Sequence, residues 1–472
     1  MDRKAAFTKR VNRMVQAPVE GLVLRMAAPT IFIMLISAIY NMADTYFVGR
    51  IGTTATAAVG VTFSLMAVIQ AVGFFFGHGA GNFISRELGA QNFERASVMA
   101  ATGFFSSLLA GACIGLCGLF FLDPLARLLG ATPTILPHAK EYLFYILMGA
   151  PWMAAAFTLN NLLRFQGSAF YGMIGMATGA ILNIILDPIF IFVLDMGVSG
   201  AALATMLSQF VSFSLLVSGS FRQSNLRMRF RYFSPKLWIY REILRGGFPS
   251  LCRQCLASVA AICLNRMAGG YGDAAIAAMS IVQRVSMFAG SALLGYGQGF
   301  QPVCGFNFGA KRYDRVKRAF WFCVKSSTLA LLAVAVGGFV FAREIVAVFR
   351  ADDAEVIRIG SLALRFQCLT FPAMGWVILN NMMMQNIGLA AKASFMAFAR
   401  QGLFLIPFLL ILTPYLGVLG IQLAQPLADV ATLAVSVPMG LSVLRSMPDD
   451  DESGGVGDVD IQAIPEIEPE DV

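Results

Sequence analysis

Two aspartates stand where a carboxylate is expensive. Asp44 lies in Asn41-Met42-Ala43-Asp44-Thr45, and Asp187 in Asn183-Ile184-Ile185-Leu186-Asp187-Pro188, each within a long apolar run. An ionisable group at bilayer depth costs about 2.5–3.5 kcal/mol on insertion scales, so function is the default reading of such a residue. Asn183 and Asp187 are four apart and share one helix face. Pro188 has no amide hydrogen, which frees the Ile184 carbonyl and bends the helix. Thr205 adds a hydroxyl oxygen, and Asn160 with Asn161 add amide oxygens. Two chemistries suit such a set. Crowded carboxylates in a water-poor bundle repel each other, so one of them can take up a proton near neutral pH. The oxygens of Asp44, Asn183, Asp187 and Thr205, with Asn160, also suit a hard cation; the oxygen-ligand logic of calcium and magnesium extends to sodium. The structural alternative is that the two acids cap helix breaks or pair with arginine, and that Thr205 and Asn160 only join helices.

These residues need helices around them. Apolar residues make up 57 % of the 472-residue chain and charged ones 13 %, about half the charge of a soluble domain. The apolar runs are continuous rather than alternating, which favours membrane helices over a barrel. A bilayer-crossing helix needs about 20 apolar residues, and twelve segments approach that: 22–48, 54–80, 96–121, 139–164, 170–195, 198–220, 242–268, 274–301, 319–342, 359–386, 391–414 and 418–445. The net charge of +8 hides two parts. The tail from Asp449 carries ten of the 27 acids and no base, and is expected to be disordered. Bases concentrate in the N-terminus (Arg3, Lys4, Lys9, Arg10, Arg13), in 221–241 and in 302–318. An excess of this kind fits cytoplasmic loops better than nucleic-acid binding, and it predicts that both termini are cytoplasmic.

An internal repeat organises the helices. Gly89-Ala90-Gln91-Asn92-Phe93-Glu94-Arg95 aligns with Gly309-Ala310-Lys311-Arg312-Tyr313-Asp314-Arg315 without gaps. The same offset pairs Pro29 with Pro249, Gly52 with Gly272, Gly77 with Gly297, Asn160-Asn161 with Asn380-Asn381, and Gly197 with Gly417. The fold class is therefore an all-α membrane protein of 12 transmembrane helices, in two six-helix bundles related by a pseudo-two-fold axis along the membrane normal. The expected divisions are a basic cytoplasmic segment at 1–20 lying on the membrane surface, bundles at 21–220 and 242–446, a basic linker at 221–241 and the acidic tail at 447–472. Transporters commonly bind substrate at such a repeat interface and expose it alternately to each side.

The second half keeps the shape without the acids. Leu264 stands at the repeat position of Asp44 and Pro407 at that of Asp187. Its own membrane charges include Arg253, Arg284, Arg400 and Asp429, and a structural pairing of Asp429 with Arg284 or Arg400 is expected. Ion coupling then belongs to the first bundle. A substrate cavity is expected among Asn41, Asn161, Asn380, Asn381, Met384 and Gln385, since methionine tolerates varied apolar guests. His78, flanked by Gly77 and Gly79, is expected near a helix end. Cys252 and Cys255 have C-x-x-C spacing inside an apolar run and read as small apolar fillers rather than a redox or metal pair.

With these residues assembled, the chain resembles the multidrug and toxic compound extrusion (MATE) family, and within it the bacterial MepA-like branch, over residues 20–445. The carriers are Pro29 with Asp44-Thr45, Gly89-Ala90 with Arg95 and its repeat, Asn183 to Asp187-Pro188, and Gln425-Pro426-Leu427-Ala428-Asp429. The resemblance implies a V-shaped pair of bundles expelling organic, often cationic, compounds in exchange for protons or sodium. It implies a first-bundle cation site at Asp44, Asn160, Asn183, Asp187 and Thr205. A family branch with acids in the seventh and tenth helices finds no match here, because Glu242 is at a helix edge.

The resulting expectation is a cation-coupled antiporter for small organic substrates, working by alternating access as a monomer in a bacterial inner membrane, with no cofactor beyond its coupling proton or sodium and no nucleic-acid partner. The competing reading is a flippase for lipid-linked precursors, which would want a wide and strongly basic cavity. A channel is disfavoured by the repeat and the lack of a pore loop, and an enzyme by the lack of a nucleophile–base pair or metal motif.

Overall fold

A computed structural model describes residues 3–223, 226, 229–349 and 353–448. Among them there are helices and no strands. Twelve helical stretches of 25 to 37 residues are long and apolar enough to cross a membrane, so the chain is a multi-pass membrane protein. The first six are α2 (Val19–Gly49), α3 (Thr53–Gly89), α4 (Phe93–Phe120), α6 (Leu136–Phe165), α7 (Ala169–Pro188) with a π-helical continuation Ile189–Val193, and α8 (Gly197–Gln223). The second six are α9 (Leu237–Gly269), α10 (Asp273–Gly309), α11 (Tyr313–Val340), α13 (Ala354–Asn386), α14 (Ala390–Phe398) joined by π-helical Ala399–Leu405 to α15 (Ile406–Leu416), and α16 (Val418–Ser446). Three shorter helices are α1 (Arg3–Gln16), α5 (Leu122–Leu128) and α12 (Ala342–Phe349).

The repeat is written into the backbone. Gly52 and Gly272 open α3 and α10 at positive φ, and Gly197 and Gly417 open α8 and α16 with φ of 56° and 61°. Gln91 (φ 62°) and Lys311 (φ 57°) close α3 and α10. In both places a backward hydrogen bond ends the helix, Asn92 N–H to Glu87 O and Arg312 N–H to Asn307 O, each 2.8 Å. That is the six-to-one closure in which a left-handed residue is required.

α3 and α10 run past the ends expected for them at 80 and 301, to Gly89 and Gly309. Gly77 and Gly79, which flank the histidine expected near a helix end, are packing positions inside α3 instead, and α10 uses glycine in the same way. A methyl on Gly295 would lie 2.6 Å from Ile31 Cα, and one on Gly299 would meet the Ala27 backbone. Glycine weakens a helix by about 1 kcal/mol relative to alanine, and here it permits backbone contact between helices. Basic residues expected in a loop at 302–318 thus follow a helix that continues to Gly309.

Three apolar cores define the shape. One core spans both halves, joining Val23, Ile84 and Leu163 to Phe300, Phe306 and Met383. The other two stay within one half each: Val48, Ile69 and Ile146 in the first, Leu264, Ile281 and Leu364 in the second. The halves are therefore joined at the end that carries the basic segments and part toward the α2–α3 and α9–α10 turns, as a V. The seam is made by α2 against α10 and α3 against α9. The N-terminal segment, expected on the membrane surface, forms α1 and docks on the protein. Its Val11, Met14 and Val15 enter the shared core, Asn307 Nδ2 donates to Met14 O at 3.2 Å, and Arg315 donates to Ala17 O. The acidic tail, from Asp449 on, lies outside the described residues.

Candidate functional site

In the first bundle, α7 presents Asn183 and Asp187 on one face, as their spacing requires, and α8 brings Thr205 against them. Asn183 Nδ2 donates to Asp187 Oδ1 at 3.3 Å and to Thr205 Oγ1 at 3.2 Å. All three side chains are buried. Asp44 on α2 is within Coulombic reach of Asp187. Pro188 ends α7, and the wider π turn that follows accommodates the lost amide, a device often found at functional positions.

What marks the cluster is unmet demand. Asp44 Oδ1, Asp187 Oδ2 and Asn183 Oδ1 are buried and accept no hydrogen bond. Buried polar atoms are nearly always satisfied, and three orphaned oxygens in one place form a donor set whose chemistry suits a proton or a hard cation. Neither aspartate has a basic partner among the described residues. Two tyrosines that sequence reasoning did not select complete the group. Tyr40, one turn before Asp44 on α2, and Tyr142 on α6 both lie within electrostatic reach of Asp44 and Asp187, and the Tyr142 hydroxyl donates to Met66 Sδ at 3.8 Å. The i,i+4 spacing of Tyr40 and Asp44 was the available signal; nothing in the sequence pointed to Tyr142.

Asn160 is set apart from this cluster. Its Oδ1 faces Gly172, eleven residues before Asn183 on α7, or about 16 Å along a helix axis. It lines the same cavity, of about 320 Å³, which opens between the halves. Tyr40, Asn41, Asn183 and Thr205 also line it, so the carboxylates stand just behind its wall.

The second-half wall differs from the expected one. Asn380 Nδ2 bonds Ser436 O and Oγ, both at 2.9 Å. Asn381 Nδ2 bonds Ala393 O at 2.6 Å, and Gln385 Nε2 bonds Gly246 O at 2.7 Å and Ser250 Oγ at 2.8 Å. Met384 is fully buried, and in the first half Asn161 bonds Phe157 O at 2.7 Å and accepts from Arg164 at 2.6 Å. The amide N–H groups are occupied inside the packing, because an amide buried in a bundle seeks backbone or side-chain partners, while the buried Asn380 and Gln385 oxygens accept no hydrogen bond among the described residues. The second half instead lines the cavity with Ser250, Arg253, Gln254 and Ser258 of α9 and Met287, Ser291, Leu294 and Gln298 of α10.

Asp429 is the acceptor of a buried network. It takes Arg400 Nε at 2.8 Å, Gln425 Nε2 at 2.9 Å, Gln367 Nε2 at 3.0 Å and Thr370 Oγ1 at 3.3 Å. Arg400 is thus its ionic partner. Arg284 is not: it is exposed on α10 and makes no ion pair among the described residues. One turn separates it from Met287 and two from Ser291, so it overhangs the cavity mouth. His78 is not at a helix end either. It is buried inside α3, stacked on Phe74 at 5.3 Å, with Nε2 3.1 Å from Arg164 Nη2.

Comparisons with known proteins bear on this arrangement. The MatE family profile matches residues 29–189 and 249–411, one match per half. The multidrug export protein MepA of Staphylococcus saprophyticus is 29 % identical over 408 residues, covering 86 % of this chain and 90 % of that protein. A MATE transporter crystallised with MaL6 superimposes with a TM-score of 0.88 at 28 % identity, over 92 % of this chain and 98 % of the other. An outward-facing conformation of a multidrug resistance MATE family transporter of the MOP superfamily does so with a TM-score of 0.87 at the same identity and coverage.

Proposed function

We propose, from the premise that this chain belongs to the MatE family and is a transporter rather than an enzyme, that it exports small organic compounds in exchange for a cation bound at Asp44 and Asp187. The observation that carries this reading is the trio of orphaned buried oxygens on Asp44, Asp187 and Asn183, with no basic partner. A proton on either carboxylate, or a sodium ion among Asp44, Asn183, Asp187 and Thr205, removes the cost of leaving them bare.

Exchange follows from position. Tyr40, Asn41, Asn183 and Thr205 are at once neighbours of the carboxylates and walls of the cavity. A cationic guest drawn to that wall and a coupling cation behind it compete for the same negative charge, so binding of one favours release of the other. Net transport also requires that the cavity face each side in turn. The glycine-lined seam supplies the moving part, since two packed bundles meeting on smooth backbone can rock as rigid bodies. With the basic segments and both termini in the cytoplasm, the seam closes the cytoplasmic end and the cavity faces outward, in a single chain spanning the bilayer. Its volume of about 320 Å³ suits a drug-sized guest and is too small for a lipid-linked saccharide, which disfavours the flippase reading.

The test is transport in proteoliposomes with proton and sodium gradients imposed separately. Ethidium uptake driven by one of the two gradients is expected, and Asp187→Asn abolishes the gradient dependence. Uptake by the variant with undiminished gradient dependence would refute the coupling role.

A further inference from the structure

At the closed end of the cavity the charge is reversed. Arg164 of α6 is 1 % exposed and sits between the two halves. Its guanidinium donates to Gln298 Oε1 on α10 and to Asn161 Oδ1 at 2.6 Å, and its Nη2 lies 3.1 Å from His78 Nε2. His78 and Gln298 occupy equivalent positions of the internal repeat, so one arginine lies where the pseudo-two-fold axis crosses the seam. Among the described residues its hydrogen-bond partners are two amides and an imidazole, with no carboxylate, and its Nε has none. Arg253 of α9 lines the cavity beside Gln298 and His78 and acts electrostatically on both His78 and Arg164. Its one hydrogen bond among the described residues is a 3.5 Å contact to Asn381 Oδ1, although a guanidinium has five N–H donors.

No carboxylate answers these two charges among the described residues. Glu242, on the same helix as Arg253, is engaged with Arg245 at 3.1 Å and Arg86 at 3.8 Å. Asp429 is taken by Arg400. Asp44 and Asp187 lack basic partners. Buried charges are ordinarily paired, because an uncompensated one is costly. Arg164 has a structural role that explains it, since it ties the seam. Arg253 is half-buried at the cavity wall, has spare donors and repels Arg164.

We infer that the closed end of the cavity is an anion subsite, in which an acidic group of the exported compound, a carboxylate or a phosphate, is bound by Arg253 beside Gln298 and His78, with Arg164 behind. The inference rests on the export reading and narrows its substrate class: the favoured guests carry a negative group for this end and a positive group for the wall in front of Asp44 and Asp187. Charge-assisted hydrogen bonds to guanidinium are the strong ones, and a planar carboxylate can take two.

The probes are a dye and its ester. Rhodamine 110 carries a free carboxylate, and rhodamine 123 is its methyl ester with the same cationic ring. Fluorescence anisotropy with the purified full-length protein is expected to show the acid bound about tenfold more tightly than the ester, the scale of one charge-assisted contact. Arg253→Gln brings that ratio toward one by weakening the acid, and Arg253→Lys restores part of it, which a merely misfolded variant would not. A ratio of one in the unaltered protein, binding of neither dye, or a ratio unchanged by Arg253→Gln overturns the subsite. Gradient-driven export of the ester, and its loss in Asp187→Asn, reads the export function separately, so failure of one does not pass for failure of the other.

Discussion

Replacing Gly295 with alanine tests whether the seam between the halves is the moving part. Gly295 of α10 faces α2, where Thr30 Oγ1 donates to its carbonyl at 2.6 Å. An added methyl would lie 2.6 Å from Ile31 Cα, 2.8 Å from Ile31 N and 2.8 Å from Thr30 O. Carbon atoms rest at about 3.5–4.0 Å, and the obstructing atoms are backbone, which no rotamer change can move. The two helices must separate by about 1 Å in this state, at a cost of about 1–3 kcal/mol. The penalty exists only while this seam is closed, so the population of the closed-seam state falls by about 5- to 150-fold relative to any state in which α2 and α10 part. Spin labels at Thr54 and Asp273, in the first turns of α3 and α10 on the open side of the V, report the change when exposed Cys113, Cys117 and Cys255 are first replaced by alanine. The expected result is a shift of the distance distribution from long to short. Gly290→Ala is the control, because on the same helix its added methyl meets nothing within 4 Å. An unchanged distribution in Gly295→Ala, or the same shift in the control, would refute the rocking argument.

Asp429→Asn should destabilise the purified protein by about 3–5 kcal/mol, as loss of one member of a buried pair does. The double variant with Arg400→Met should recover much of that, and additive losses in thermal unfolding would show that the pair is not coupled. Tyr142→Phe removes a hydroxyl within electrostatic reach of Asp44 and Asp187 and should weaken cation binding up to about tenfold, read by isothermal titration with sodium or by the proton dependence of uptake. The exposed Asp123 carboxyl is held below the usual carboxylate range by hydrogen bonds from Arg127 and Lys140. Its contribution is present above about pH 4 and is lost as pH falls below it. Because exposed pairs are screened by solvent, Asp123→Asn should leave the melting temperature at pH 7 unchanged, and a drop of several degrees would contradict that.

The sequence by itself determined the class and the plan. Its apolar runs permit only membrane helices, and one register holding from Pro29/Pro249 to Gly197/Gly417 makes two equivalent halves. It also marked Asp44 and Asp187, because a carboxylate in an apolar run is conspicuous whatever surrounds it. The pairing of Asn183 with Asp187 follows from helical period alone, and Thr205 joined them because α7 and α8 are neighbours in sequence. Tertiary structure decided everything that depends on how helices far apart in sequence meet. It set Tyr142 beside the acids and moved Asn160 three turns from them. It also gave Asp429 to Arg400 and left Arg284 exposed, a choice no spacing rule contains. Asn380, Asn381 and Gln385 read as cavity walls because a polar residue in an apolar run shows its type and not its partner, and the partners are backbone groups inside the second bundle. Gly79, read as near a helix end, became part of the seam with α9 for a similar reason. A glycine's sequence context reports its weak helix preference, while the atom that occupies its missing side chain belongs to another helix.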